Sequence, residues 1–268
     1  MARIFVTGST DGLGRAAAQS LTQDGHQVVL HARSKDRSAA VSDLAPRALG
    51  VVIGDLSSAP DTRSIAQQVN AIGSMDTVIH NAGIYSTSDR SSTPEGHAAI
   101  LAVNTLAPYM LTALIERPSR LVYLSSSMHR SGIGPLDDID WTGRRWNATK
   151  AYGESKLYVA ALSCAIARRW PDVFSNIVDP GWVPTRMGEP GARTILKKAI
   201  APRHGWRLAT RPPRKSAAAT GIIVGNRRRR ARFPTSCFRT SSSAGSPKSP
   251  GFRFLETPPI TGRPFRQR

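Results

Sequence analysis

The sequence predicts an α/β fold built on a doubly wound parallel sheet. Two observations support this fold class: short apolar runs and the amphipathic segments that lie between them. The apolar runs are rich in Val and Ile and have the length of buried strands: RIFVTG, QVVLHA, GVVIGD, DTVIHNAG, RLVYLSS and FSNIVDPG. The amphipathic segments have the length of helices: LGRAAAQSLTQDG, TRSIAQQVNAIG, GHAAILAVNTLAPYMLTALIE and KAYGESKLYVAALSCAIARRW. Strands that alternate with helices pair in parallel, with helices on both faces of the sheet.

The elements follow one another in a regular order along the chain. The first strand, RIFVTG, leads through a glycine-rich turn into a helix for which Gly25 is the predicted C-cap. QVVLHA and GVVIGD are the second and third strands, and TRSIAQQVNAIG is the helix after them. Two longer helices then alternate with the fourth, fifth and sixth strands. Ligands of such a sheet bind beyond the carboxyl ends of its strands.

Composition limits the class of protein. With 268 residues, 40% of them hydrophobic, the chain can bury one large core, so we expect one domain and a tail. Cys164 and Cys237 are too few and too far apart for a disulfide framework or a zinc site, and the His residues show no metal-ligand spacing, so we expect no metal. The chain opens on MARIFVTG without a basic-then-apolar leader and has no bilayer-length apolar run. We therefore predict a cytoplasmic protein without a membrane span.

The net charge of +19 is concentrated at the C-terminal end. Residues 1–190 hold 18 Lys/Arg against 17 Asp/Glu, whereas residues 191–268 hold 19 Lys/Arg and a single acid, Glu256. The second region is also rich in Pro and Ser and lacks strand or helix periodicity, which is typical of low order. We predict a patterned domain over residues 1–190 and a basic, low-order tail over residues 191–268.

The stretch TGSTDGLG, residues 7–14, follows the first strand and precedes the first helix. Gly8, Gly12 and Gly14 let the backbone turn sharply and approach a pyrophosphate, and the helix that follows offers free N–H groups. The alternative is a glycine-rich turn without a ligand, but the position between a strand and a helix favours a dinucleotide site. We expect Ser9 and Leu13 of the same stretch to contact the cofactor.

Five motifs occur in the order of the short-chain dehydrogenase/reductase family: TGSTDGLG, HNAG at 80–83, LSSS at 124–127, YGESK at 152–156 and DPGWVPT at 179–185. The chain resembles this family over about residues 1–190. SSSMH, the acidic segment DDIDW and the YxxSK pattern are most similar to its retinol-dehydrogenase-like branch. The resemblance implies a Rossmann-type fold and an NAD(P)-dependent oxidoreductase that acts on a small-molecule alcohol or carbonyl.

Tyr152 and Lys156 are spaced i, i+4 and so lie on one face of a helix. A phenol has an unperturbed pKa of ~10, and an ammonium one turn away is expected to lower it. A Tyr and a Lys on an ordinary solvated helix are the alternative. The resemblance makes Tyr152 the general acid of carbonyl reduction and the general base of alcohol oxidation, and has Lys156 also hold the nicotinamide ribose.

The resemblance assigns two further catalytic residues. Ser126 is the predicted donor to a developing alkoxide, and its neighbours Ser125 and Ser127 are the alternatives. Asn104 matches the Asn that the family uses to support a water-linked proton relay, whereas an Asn within a helix would otherwise point to solvent.

Cofactor contacts follow from the same motifs. Ala32 stands where NAD-preferring members carry an acid, and Arg33 follows it and can pair with a 2′-phosphate, so NADP is favoured over NAD. The remaining predicted contacts lie at the ends of strands: Asp55 and Leu56 toward adenine, Asn81, Ala82 and Gly83 toward nicotinamide, and Pro180, Gly181, Val183 and Thr185 toward the carboxamide. His80, where the family more often has Asn, is not predicted to be catalytic.

The tail leaves two alternative functions open. The run RRRRAR, residues 227–232, could bind nucleic acid, but no aromatic residues are interleaved with it, so this partner is disfavoured. The second alternative is a cofactor-binding chain that is inactive because its C-terminus is out of frame. Permitted codons for residues 193–207, read one nucleotide upstream, can give an acidic amphipathic stretch like the one that this family places there. We therefore hypothesise a frameshift between about residues 187 and 193.

The frameshift hypothesis predicts that the final strand and helix of the fold are missing or replaced by the tail, with TGIIVG at best an edge strand. The sequence does not identify the substrate. A homo-oligomer is compatible with the resemblance, because family interfaces often use the Tyr-bearing helix, but the oligomeric state stays open.

Overall fold

The computed structural model describes residues 1–85 and 89–181, together with the backbone of residues 222–224. The strands of these residues form one parallel sheet of seven: β1 (Arg3–Val6), β2 (Gln27–Ala32), β3 (Gly50–Ile53), β4 (Thr77–His80), β5 (Arg120–Leu124), β6 (Phe174–Asp179) and β7 (Ile222–Val224). Their order across the sheet is β3-β2-β1-β4-β5-β6-β7. The strand order therefore reverses between β1 and β4. The doubly wound parallel sheet predicted from the sequence is confirmed.

Helices connect the strands: α1 (Gly12–Gln23), α2 (Lys35–Ser38), α3 (Ala59–Ile72), α4 (Ala99–Leu101), α5 (Ala107–Leu114) and α6 (Ala148–Arg169). Side-chain caps determine where the long helices begin, because an oxygen outside the helix accepts from an otherwise unpaired N–H. Ser58 accepts from Asp61 N and so starts α3 at Ala59, earlier than the apolar pattern indicates. Asp24 is the C-cap of α1, and Gly25, the predicted cap, follows it with a φ of 79°.

The long helix predicted over residues 96–116 is interrupted. A π-helical turn over Ala102–Leu106 joins α4 to α5, and Asn104 lies in the middle of this turn. Single π-helical turns insert one extra residue into a helix and frequently occur at functional sites. The helical periodicity of the sequence did not indicate this turn.

Both faces of the sheet are buried, which explains why the strand sequences are continuously apolar rather than alternating. Successive residues of β1 point to opposite faces: Phe5 lies in a core cluster with Val29 and Tyr123, whereas Ile4 lies in a second cluster with Val28. All five side chains are no more than 1% exposed. A third, smaller cluster, which includes Trp141 and Ala151, packs beside the N-terminal part of α6.

The edge of the sheet beyond β6 is formed by β7, which pairs in parallel with Ile177, Val178 and Asp179. Within TGIIVG, predicted to be at best an edge strand, Ile222–Val224 form the last strand of the described sheet. The proposed frameshift, the predicted loss of the last helix and the division at residue 190 fall on residues outside the described ranges, and they stay predictions. Within those ranges, no helix is long and apolar enough to cross a membrane.

Candidate active site

The glycine-rich stretch of residues 7–14 forms the turn between β1 and α1. Gly8 and Gly12 have φ values of 66° and 51°, in the left-handed region that favours glycine. A Cβ added to Gly14 would lie 2.2 Å from the carbonyl oxygen of Gly8, so only glycine allows this close approach of helix and loop. Asp11 caps α1, and its Oδ1 accepts from Gly12 N at 2.7 Å. The loop and the N-terminus of α1 therefore fit a pyrophosphate, since the backbone is open to close approach.

Thr7 and Asn81 join the two sides of the cleft at which the strand order reverses. Thr7 Oγ1 accepts from Asn81 N at 3.0 Å and from Ala82 N at 2.9 Å. In return Asn81 Nδ2 donates to Thr7 O at 2.9 Å and Gly8 O at 3.3 Å. The side chain of Asn81 is thus engaged in holding the glycine-rich loop. The predicted cofactor residues at the ends of β1 and β4 are brought together.

The predicted contacts on the adenine side lie at the ends of β2 and β3. Arg33 is exposed directly after β2, whereas Leu56 is buried in the core. Asp55 Oδ1 accepts from both the backbone and the hydroxyl of Ser57, each at 2.8 Å. Ser9 is fully buried and donates its hydroxyl to the carbonyl of Val6. Ser9 and Leu56 can therefore face a cofactor only through their backbone.

The predicted catalytic Tyr and Lys lie on α6, close to the end of β5. The Ser126 side chain lies beside the Tyr152 phenol and acts to lower its pKa. Lys156 Nζ donates to Leu124 O at 2.9 Å and lies 5.5 Å from the centroid of the Tyr152 ring. The structure therefore brings Ser126, Tyr152 and Lys156 together at the carboxyl end of the sheet, as the sequence predicted.

The three consecutive serines after β5 have different environments. Ser125 is buried and donates to Lys156 O at 3.0 Å, which fastens α6 to the end of β5. Ser127 is exposed. Ser126 begins a 3₁₀ helix over Ser127–Ser131, and its Oγ accepts from Met128 N at 3.3 Å. Of the three, Ser126 is the one whose side chain acts on the pKa of Tyr152.

Asn104 is buried, and its side-chain amide is fully engaged. Its Nδ2 donates to Ile84 O and to Ser155 Oγ, both at 3.0 Å, and its Oδ1 accepts from Ile84 N at 2.8 Å. Gly83 lies against this amide and against the Lys156 ammonium, because a Cβ there would be 3.3 Å from both. Asn104 therefore ties the segment after β4 to α6, and its role in a proton relay stays a prediction.

The pKa of Tyr152 differs from the sequence-based expectation. Burial raises the pKa of the Tyr152 phenol, the neighbouring Ser126 side chain lowers it, and the charge of Asp179 raises it further. The net shift is upward, whereas the sequence-based expectation was a lowered pKa, because desolvation of the phenolate dominates. Burial also lowers the pKa of Lys156 to about 8.

Sequence reasoning missed two residues beside Tyr152. The Tyr85 ring meets the Tyr152 ring edge to face at 5.0 Å, and its hydroxyl bonds to Thr149 Oγ1 at 3.0 Å. Asp179 is buried at the end of β6, where its Oδ1 accepts from Gly181 N at 2.9 Å, and Gly181 has a φ of 72°. Tyr85 follows the motif HNAG and Asp179 begins the motif DPG, and these motifs were the available signal in the sequence. Pro180 follows Asp179, whereas Val183 and Thr185 lie outside the described residues.

The acidic segment DDIDW is fastened to the catalytic helix by Arg144. The Arg144 guanidinium donates to both oxygens of Glu154, at 2.9 and 2.8 Å, and to Asp138 Oδ2 at 3.0 Å. It also lies 3.7 Å from the centroid of the Trp141 ring. Glu154 is 2% exposed and lies between Tyr152 and Lys156 in sequence, so this ion pair braces the helix that carries both.

Comparison with known proteins identifies relatives of this chain. The model of the short chain dehydrogenase family matches residues 2–122. An uncharacterized oxidoreductase of Emericella nidulans is 44% identical, over 75% of this chain and 79% of its own length. A short-chain dehydrogenase of Penicillium rubens is 42% identical, over 75% of this chain and 78% of its own length.

More distant proteins extend the comparison. Human retinol dehydrogenase 13 is 29% identical over 69% of this chain and 60% of its own length. The crystal structure of a short-chain dehydrogenase from Sphingobium yanoikuyae in complex with NADPH has the same fold, with a TM-score of 0.58 at 19% identity, over 75% of this chain and 83% of that one. The chain therefore belongs to the short-chain dehydrogenase family of NAD(P)-dependent oxidoreductases.

Proposed function

We propose that this protein uses NADP(H) to interconvert a small-molecule alcohol and the matching carbonyl compound, with Tyr152 as the proton-transferring residue. The observation that carries the proposal is the grouping of the Tyr152 phenol with the Ser126 side chain, which acts to lower its pKa, and with the Lys156 ammonium, 5.5 Å from the centroid of its ring. These groups lie at the same end of the sheet as the glycine-rich loop. When bound, the cofactor supplies or accepts a hydride, and the protein positions it.

The cofactor preference rests on charge at the end of β2. Arg33 is exposed there, and Arg37 of α2 approaches Asp11 of the glycine-rich loop at 3.8 Å. A guanidinium at this place can pair with a 2′-phosphate, which only NADP(H) carries. Position 32, directly before Arg33, is Ala rather than an acid, so no carboxylate at that position would repel the 2′-phosphate.

The proton chemistry favours carbonyl reduction near neutral pH. Because burial raises the pKa of Tyr152, the phenol is protonated and can donate to the oxygen of a carbonyl. Ser126 supplies a second hydroxyl donor to the same developing negative charge. Lys156 then stabilises the phenolate that remains, since opposite charges attract strongly in a buried site.

Substitution of the two hydroxyl-bearing residues tests the chemistry. In a screen of ketones and aldehydes with NADPH, Tyr152→Phe and Ser126→Ala should lower kcat by about 10²-fold or more while NADPH affinity stays near that of the wild type. Ser127→Ala is the matched control, since this neighbouring hydroxyl is exposed. Turnover retained by Tyr152→Phe would reject the assignment.

Cofactor preference is tested by titration of the protein with NADPH and NADH, followed by fluorescence. The wild type should bind NADPH more tightly, and Arg33→Glu should narrow or reverse the preference because an acid repels the 2′-phosphate. Equal affinities that the substitution leaves unchanged would remove Arg33 from the site.

The alternative of an inactive chain has its own outcome. NADPH binding without turnover of any carbonyl compound would favour it. Sequencing of the gene around codons 187–193 tests its cause. If the coding strand, read one base back, meets stop codons or encodes no family-like pattern, the frameshift hypothesis is rejected.

A further inference from the structure

His31 is a buried ring between the glycine-rich loop and the end of β3, and it is 2% exposed. Its Nδ1 is 2.9 Å from Gly8 N, and its Nε2 is 2.9 Å from the carbonyl oxygen of Gly54. A carbonyl can only accept, so Nε2 carries the proton and Nδ1 is left to accept from Gly8 N. One neutral tautomer therefore satisfies both partners.

The backbone of His31 also contacts the loop, but these contacts do not depend on the ring. Ser9 N donates to His31 O, and His31 N donates to Ser9 Oγ, both at 3.1 Å. Any residue in β2 would keep both bonds. The Gly8 N–H differs, because its acceptor is the imidazole itself. Without the ring, a partly buried donor loses its partner, which is costly.

His31 and Asn81 hold the same turn from its two sides. Asn81 donates to the carbonyl oxygens of Thr7 and Gly8, whereas His31 accepts from the amide of Gly8. Gly8 is in the left-handed region, but a glycine in an isolated turn would also populate other backbone conformations. With both its N–H and its C=O bonded, the Thr7–Gly8–Ser9 backbone has one orientation.

We propose that His31 is a positioning residue for the cofactor, whose neutral ring holds Gly8 so that the glycine-rich loop presents its backbone to the pyrophosphate. This inference rests on the proposed dinucleotide-binding function of the loop. Its structural basis is the single-tautomer bridge from Gly8 N to Gly54 O, which links the loop to the end of β3.

The environment of the ring keeps it neutral. Burial lowers the pKa of His31 and outweighs the hydrogen bond with Gly54 and the charge of Asp55, which act in the opposite direction. A protonated ring would place an N–H at Nδ1 opposite the N–H of Gly8, and the bridge could not form. The neutral ring is therefore the form that holds the loop.

Two substitutions separate the two ends of the bridge. His31→Asn places an amide oxygen near the position of Nδ1, where it can accept from Gly8 N. His31→Gln places its amide near the position of Nε2, within reach of Gly54 O only. We expect His31→Gln to weaken NADPH binding about tenfold or more, because the Gly8 N–H loses its acceptor. His31→Asn keeps an acceptor for this N–H and should weaken binding less than about threefold. Both variants should melt at similar temperatures.

A second readout does not need the cofactor. Hydrogen exchange of the Gly8 amide, followed by NMR, should be slow in the wild type and in His31→Asn and about tenfold or more faster in His31→Gln. In case His31→Gln does not fold, ring ¹⁵N shifts of the wild type decide the tautomer. A proton on Nδ1, or a charged ring at neutral pH, would overturn the bridge.

The outcomes are distinguishable. A wild type that binds no nicotinamide cofactor rejects the proposed function and with it the cofactor role of His31. A wild type that binds NADPH, with equal affinities in the two variants, rejects the inference alone. Faster Gly8 exchange in His31→Gln without weaker NADPH binding also rejects it, because the bridge would then not serve the cofactor.

Discussion

His80 gives a prediction of acid sensitivity whose size can be worked from the structure. Its ring lies at the end of β4, 2% exposed, stacked on the Tyr123 ring at 4.8 Å, and its Nε2 is 3.1 Å from Thr112 Oγ1. Burial lowers the pKa of His80 from 6.5 to about 3. Among the described residues, no group bonds to its Nδ1, so a doubly protonated ring would leave one buried N–H without a partner.

The sign of the effect follows from which state takes up the proton first. The unfolded chain binds a proton near pH 6.5, whereas the folded protein resists it until about pH 3. The stability due to neutral His80 is therefore complete above pH 6.5 and is lost as the pH falls through this window, at up to about 1.4 kcal/mol per pH unit. Between pH 7.5 and pH 5 the loss amounts to about 2 kcal/mol.

His80→Asn removes the titrating ring and keeps a polar side chain next to Thr112. Urea unfolding of both proteins, followed by circular dichroism at pH 7.5 and pH 5, gives the change in the free energy of unfolding for each. This change should be about 2 kcal/mol smaller in His80→Asn, because other titrating groups contribute equally to both proteins and cancel. Acid sensitivity that is the same in the two proteins to within about 0.5 kcal/mol would refute the reasoning.

Two further substitutions test the packing of the site. Gly14→Ala should abolish measurable NADPH binding and destabilise the fold by about 1–3 kcal/mol, because its Cβ would lie 2.3 Å from Asn81 Nδ2. Gly143→Ala is the control, since its Cβ would have no atom nearer than 3.7 Å, and normal NADPH titration of Gly14→Ala would contradict the close packing. Arg144→Met should lower the free energy of unfolding by about 3 kcal/mol in urea titrations, because it leaves the buried Glu154 unpaired. The double variant Arg144→Met/Glu154→Leu should recover much of this loss, and an Arg144→Met variant as stable as the wild type would show that the ion pair does not brace α6.

The sheet and the main site motifs were predictable because they depend on local sequence. Val and Ile runs such as QVVLHA give strands wherever both faces of the sheet are covered, and Tyr152 and Lys156 are spaced by one helical turn. The glycines of the first loop likewise occupy positions where a side chain would clash or strain the backbone. The ends of helices were less predictable, since Ser58 as a cap moved the start of α3.

Features that depend on distant partners could not be predicted. The π-helical turn at Asn104 differs from an α-helix by one inserted residue, and Ser155, which bonds to Asn104, lies 51 positions away. The pKa of Tyr152 depends on burial, which the spacing to Lys156 does not report. His31 resembled any lone His in an apolar strand, because its partner Gly8 lies 23 positions earlier.

The bonds from Asn81 and Ala82 to the Thr7 hydroxyl have a consequence for the order in which the protein folds. They span 74 and 75 positions, so the chain must close a long loop before they form, and such contacts form slowly compared with helices. The glycine-rich turn alone is a local element and can fluctuate into shape early. The cleft beside it exists only once β1 and β4 have paired. A nascent chain can therefore acquire its cofactor cleft only as a product of long-range assembly, after residue 82 has emerged.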